Sequence, residues 1–177
     1  MTSYLDRPAG RSWLGSWIFS TDHKRIGILY LISLFLFFSV AVCIGFFMRL
    51  EMIAPGPTIM AADTYNRLFT LHGVIMIFLF IIPGIPATLG NFMLPLQIGA
   101  TDVAFPRLTL MAWYIYVLGA FIAIYALFSS GGIPDTGWTF YVPYSVRTGT
   151  NVTTAVLAAF VLGFSSILTG INFITTI

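Results

Sequence analysis

The chain has 177 residues, 58% of them hydrophobic and only 8% charged, with a mean hydropathy of +0.94. Soluble globular proteins carry about 25% charged residues, so this composition excludes a soluble domain and points to a membrane protein. A net charge of +2 from scattered Lys and Arg leaves no basic footprint for nucleic acid. One cysteine, Cys43, excludes an intrachain disulfide, and no CxxC or Cys/His cluster offers a zinc or iron–sulfur site.

Residues 1–25 read as an N-terminal tail, and residues 26–177 as one integral-membrane domain. The uncharged run Ile26 to Met48, at about 1.5 Å per residue, is long enough for the roughly 30 Å hydrocarbon core and is helix I. The next uncharged run, Leu68 to Thr101, is broken by Pro83, Gly84, Pro86, Gly90 and Pro95. It predicts helix II over 67–89, kinked by its prolines. Leu108 to Phe128 is predicted as helix III, closed by the turn sequence Ser-Ser-Gly-Gly-Ile-Pro-Asp, and Val152 to Ile177 as helix IV. Helix IV carries no glycine cap, basic anchor or polar tail, so the sequence reads as the N-terminal piece of a longer chain.

Arg7, Arg11, Lys24 and Arg25 precede helix I, whereas the loop 50–66 carries only Glu51 and Asp63. The basic bias puts the N-terminus inside and the loops 50–66 and 129–151 outside, the second supplying an interfacial belt of Trp138, Tyr141 and Tyr144. On that arrangement His72 lies five residues past Arg67, about 7 Å below the outer end of helix II, at roughly the depth of Arg49. Asn91, Asp102, Thr109 and Asn172 share the inner level, and Ser165, Ser166 and Thr169 climb from it.

His72 is the side chain in greatest need of explanation. An ionisable residue inside an apolar run is costly unless held by a polar group, water or a metal. One reading is a histidine satisfied by a hydroxyl or backbone carbonyl of a neighbouring helix; the others are a proton relay or a ligand. Gly73 removes a side chain beside the ring, Met76 continues its face, and Phe69, Phe78 and Phe80 surround it, features that favour a flat macrocycle without specifying one. His23 stands before helix I on the opposite side. Asp102 reads either as a solvated carboxylate, with Arg107 five residues on as its partner, or as the mouth of a proton path. Asn91, Thr109, Asn172, Ser165 and Ser166 would then hold the waters along it, although such residues also glue helices together. Glu51 with Gly56 offers a carboxylate and a carbonyl to a calcium or sodium ion, or a plain loop.

Ser-Thr-Asp-His-Lys-Arg-Ile-Gly-Ile-Leu-Tyr (20–30), Arg-Leu-Glu (49–51), Leu-His-Gly-Val-Ile-Met-Ile-Phe (71–78), the run 90–107, Gly-Trp-Thr-Phe-Tyr-Val-Pro (137–143) and Ser-Ser-Ile-Leu-Thr-Gly-Ile-Asn-Phe-Ile-Thr-Thr (165–176) closely resemble the N-terminal third of subunit I of the haem-copper terminal oxidases. The resemblance implies an all-α membrane fold, four transmembrane helices of a twelve-helix bundle, in a bacterial inner membrane. It implies that His72 is an axial ligand of a low-spin haem, haem a, with Arg49 at the haem edge and Gly73 and Met76 beside it. Asp102 matches the entrance acid of a proton channel, Asn91, Asn172, Ser165 and Ser166 its water-holding residues, and Glu51 with Gly56 an outer calcium or sodium site. The family has an Asn-Asn pair where this chain has Thr109 and Leu110, which puts tight coupling of proton pumping in question. The second haem, the copper and the oxygen-reducing centre would be ligated by later helices.

The implied function is part of a proton-pumping cytochrome c oxidase. Electrons would come from cytochrome c through subunit II, with subunit III as a further partner, and oxygen would be reduced to water. A quinol oxidase, or a haem-free proton-coupled transporter or structural bundle, are the alternatives.

Overall fold

In the computed structural model, which describes residues 12–129 and 131–177, every regular element is helical. Among the described residues, four helices are long and apolar enough to cross a membrane. They are helix I, His23–Glu51; helix II, Ala62–Ile98; helix III, Pro106–Phe128; and helix IV, Val152–Thr176. The chain is a multi-pass membrane protein. The first eleven residues of the expected tail, and Ser130 of the turn after helix III, lie outside the described residues.

Helix I starts earlier than the charge-free run indicated. Asp22 caps it, its carboxylate accepting from the backbone N–H groups of Lys24 and Arg25 at 2.8 and 3.3 Å, so the two basic residues occupy the first helical turn. The tail also holds a short helix, Trp13–Ile18, capped by Ser12. Arg25 is buried against it, donating from Nη1 to the Ser16 carbonyl at 2.8 Å and lying 5.4 Å from the Trp17 ring centroid. One of the charges used to orient the chain is therefore a packing element.

Helix II runs well beyond the predicted 67–89. It contains two wide, π-type stretches, Ile75–Ile81 and Gly84–Gly90, and ends at Gly99, whose φ of 72° gives the left-handed cap that glycine accepts without strain. The prolines explain the wide turns. Pro83 has no N–H to return to the carbonyl four residues earlier, Leu79, and its ring crowds that carbonyl. The Tyr116 hydroxyl, on helix III, donates to the Leu79 oxygen at 2.8 Å. Tyr116 is 1% exposed and sits in the core with Ile26, Tyr30, Ala41, Ile75, Leu79, Ala87, Ala120 and Leu162.

Helices III and IV pack against each other along much of their length. Their close approach depends on Gly119, where a Cβ would come within 2.8 Å of Leu162 Cγ and 3.3 Å of its backbone nitrogen, the small-residue packing that lets membrane helices touch along their backbones. Helix III has no side-chain cap of its own. Asn172 of helix IV supplies it, Oδ1 accepting from Phe105 N–H at 2.8 Å and Nδ2 donating to the Phe105 carbonyl at 3.3 Å.

Replacing Tyr116 by Phe keeps the ring and removes only the bond to the Leu79 carbonyl. The variant is expected to lose about 1 kcal/mol of stability, the scale of an interhelical hydrogen bond in a bilayer, in detergent-titrated unfolding of the purified protein. Unchanged stability would mean that the wide turns of helix II satisfy Leu79 without help from helix III.

Candidate functional site

His72 lies ten residues into helix II, about 15 Å from its start at Ala62, rather than the 7 Å expected from Arg67. Its Nδ1 donates to the backbone carbonyl of Ala41 on helix I at 2.9 Å. Alanine 41 is fully buried, whereas the histidine is partly exposed. Nδ1 carries the hydrogen in that contact, so Nε2 is the nitrogen with a free lone pair, and among the described residues no group bonds to it. An imidazole anchored through one nitrogen to a carbonyl, with the other nitrogen presented, is the arrangement by which proteins fix a metal-binding histidine.

Two neighbours of the ring differ from expectation. Gly73 does not leave open space beside it: a Cβ there would lie 3.3 Å from Trp138 Cδ1, and Trp138 also packs edge-on to Phe78 with centroids 6.0 Å apart. Trp138, in the loop 129–151, thus packs on helix II. The glycine that faces the imidazole is Gly45 on helix I, where a Cβ would sit 3.1 Å from His72 Cε1 and 3.4 Å from Nδ1. Arg49 stands four residues beyond Gly45, about 6 Å further along helix I, exposed and with no partner among the described residues. Ala41, Gly45 and Arg49 follow at four-residue steps and so share one face of helix I. Met76 is half-buried and packs on the core.

The fit of these residues to a haem rests on the presented Nε2, the anchored Nδ1 and the missing Cβ at Gly45. Among the described residues no cluster of three or more His, Cys, Asp or Glu could hold a bare metal ion. A prosthetic group whose own ring supplies most of the metal's ligands needs only one such nitrogen from this chain.

The polar residues at the end of the bundle that holds Asp102 fall into linked groups. Asp102 pairs with His23, not with Arg107: His23 Nδ1 and Asp102 Oδ1 are 2.9 Å apart, a contact across 79 residues of sequence. His23 is 4% exposed and its Nε2 is buried without a partner, while Asp102 keeps partial access to solvent. Asn172 Nδ2 also bonds to Thr109 Oγ1. Ser165 donates to the Ala112 carbonyl at 2.8 Å, which leaves its oxygen to accept from the Tyr30 hydroxyl at 3.2 Å. Ser166 is half-buried and has no side-chain partner among the described residues. Asn91, 0% exposed, donates to the Ala87 carbonyl and leaves Oδ1 buried and unpaired. The residues on either side of Asn91 fix its level: Phe92 lies against Gly27 of helix I and Gly90 against Phe173 of helix IV. His23, Asn91 and Asn172 are thereby gathered at one end of the bundle. Sequence reading missed His23 and Tyr30, although their seven-residue spacing puts both on one helix face.

Glu51 is buried, and both its oxygens are occupied by this chain. They accept from the backbone N–H groups of Thr58, Ile59 and Met60 at 2.8, 2.7 and 3.0 Å, and from the Thr58 hydroxyl at 3.3 Å. Gly56 is exposed within the loop so closed, with a φ of 85°. The carboxylate is a loop staple made of charge-assisted hydrogen bonds. Glu51→Gln is expected to speed amide exchange at Thr58, Ile59 and Met60 with no added cation present. Exchange in wild type that is protected only when calcium or sodium is supplied would instead make the ion the organiser of the loop.

Residues 25–177 match the protein family described as Cytochrome C and Quinol oxidase polypeptide I. The chain is 42% identical over 164 residues to a probable cytochrome c oxidase subunit 1-alpha of Streptomyces avermitilis, covering 91% of this chain and 28% of that protein. It is 42% identical over 168 residues to a cytochrome c oxidase subunit 1 of Synechocystis sp., covering 94% and 30%. It is 37% identical over 169 residues to a heme-copper oxidase subunit I+III of Aeropyrum pernix, covering 94% and 21%. The chain therefore spans less than a third of the length of each of these relatives.

Proposed function

Since the chain belongs to the family of cytochrome c and quinol oxidase polypeptide I, we propose that it forms the part of a terminal oxidase's catalytic subunit that holds a low-spin haem through His72 and admits protons past Asp102. The observation that carries this reading is the pose of His72, with Nδ1 committed to the Ala41 carbonyl and Nε2 presented. A haem bound there would supply one-electron exchange at its iron. The chain's own contribution is to fix the imidazole tautomer and to keep the ring's orientation against helix I. Arg49 would place a guanidinium toward a polar edge of the group, since its flexible stem spans the distance that its position on helix I leaves open.

At the other end, the Asp102 carboxylate holds the His23 Nδ1 hydrogen, so the pair can take a proton from water at the surface and hold it at the imidazole or the carboxylate. The unpaired buried atoms, His23 Nε2 and Asn91 Oδ1, are the kind that ordered water satisfies in protein interiors, which supports a wet path inward from Asp102. Asn172, Thr109 and Ser165 would act mainly by holding helix backbones in place, with their bonds already committed to protein partners. Thr109, where the family has the first of two asparagines, offers a hydroxyl that accepts from Asn172 Nδ2. The relatives carrying the name cytochrome c oxidase favour cytochrome c as donor over a quinol. The name of the Aeropyrum pernix protein, subunit I+III, favours a subunit III partner, and the location would be a bacterial plasma membrane.

The test is a reduced-minus-oxidised spectrum of the assembled complex. His72→Ala is expected to abolish the low-spin haem band; a band of wild-type size in that variant removes the ligand assignment. Asp102→Asn is expected to slow turnover at least tenfold, about 1.4 kcal/mol in the barrier, with the haem band unchanged. Proton uptake at the wild-type rate would reject Asp102 as the entrance.

A further inference from the structure

We propose that Gly45 is a positioning residue for the His72 imidazole, forming with the Ala41 carbonyl a single socket on helix I; the proposal rests on the reading of His72 as a haem ligand. In an α-helix the carbonyl of residue i accepts the N–H of residue i+4, so the Ala41 oxygen and the Gly45 nitrogen belong to the same backbone bond. A carbonyl oxygen has two lone pairs, and the second one takes the His72 Nδ1 hydrogen at 2.9 Å. A Cβ at residue 45 would lie 3.1 Å from the ring's Cε1, so the ring would have to give by a few tenths of an ångström to keep its approach to that oxygen.

The contacts around Gly45 are specific to the ring. The three atoms nearest to a Cβ at this position all belong to His72: Cε1 at 3.1 Å, Nδ1 at 3.4 Å and Nε2 at 3.8 Å. Gly27 likewise makes room for one ring, Phe92, and Gly119 for Leu162, but at Gly45 the ring admitted is the one whose Nδ1 bonds to a carbonyl of the same turn of helix I. A Cβ pressing on Cε1 and Nδ1 would push the ring away from the Ala41 oxygen, lengthening the bond that sets the tautomer and raises the basicity of Nε2. Axial-ligand hydrogen bonding is one of the levers on a haem's reduction potential, so Gly45 sets that potential through the imidazole without touching the group itself.

The experiment compares Gly45→Ala with Gly163→Ala in the assembled complex. Gly45→Ala is expected to keep the low-spin haem while displacing its absorption maximum and raising its midpoint potential, because a weaker Nδ1 bond makes Nε2 a poorer donor to oxidised iron. Gly163→Ala, on helix IV, adds a Cβ that meets nothing of this chain within 4 Å and is expected to leave the potential at the wild-type value. A wild-type potential and spectrum in Gly45→Ala overturn the socket while leaving His72 as ligand. A haem band surviving in His72→Ala overturns the reading beneath it.

Should Gly45→Ala not assemble, His72→Gly supplied with free imidazole or with 1-methylimidazole decides the matter. Imidazole keeps the N–H that the Ala41 carbonyl accepts and is expected to restore the band. The methylated ring lacks that hydrogen and is expected not to. Equal restoration by both overturns the proposal.

Discussion

Inside a lipid bilayer a backbone carbonyl that loses its helical partner has no water to turn to, and each such group costs several kcal/mol unless the protein answers it. Helix II carries three prolines, Pro83, Pro86 and Pro95, and so creates this problem repeatedly along one span. The bundle is arranged around the answers. Tyr116 crosses from helix III to the Leu79 carbonyl, and the helix widens into π-type turns on both sides of Pro83. The Tyr116 bond ties helix II to helix III at a defined height.

The candidate cofactor residue uses the same chemistry. A helix carbonyl with a spare lone pair is among the few acceptors available to an imidazole in an apolar run, and Ala41 provides it because Gly45 leaves room. The polar group that makes His72 tolerable in the membrane also orients it. The bland explanation of this histidine and the functional one are therefore not rivals: a backbone bond satisfies one nitrogen and frees the other.

At the opposite end, polar side chains divide by whether their bonding capacity is used up. Asn172, Thr109 and Ser165 are committed to the start of helix III, to each other and to Tyr30. His23 and Asn91 keep a buried atom unpaired, and Asp102 keeps contact with solvent. A path for protons needs groups of the second kind, held in place by groups of the first. Residue type alone did not separate them.

The sequence by itself determined the class of the protein, the number of its spans and the residues worth watching, because a charge-free run of more than about twenty residues has few other uses. The helix ends were less legible: Asp22 caps a helix that takes Lys24 and Arg25 into its first turn, and the prolines of helix II widen its turns without ending it. Only the tertiary structure decided the partners. His23 and Asp102 are 79 positions apart, the acceptor for His72 is a backbone atom that no residue type announces, and the glycine beside the ring is Gly45 rather than the adjacent Gly73. The physical reason is common to all three. Helix periodicity tells which residues share a face of one helix, whereas which faces meet, and at what height, follows from how the helices cross.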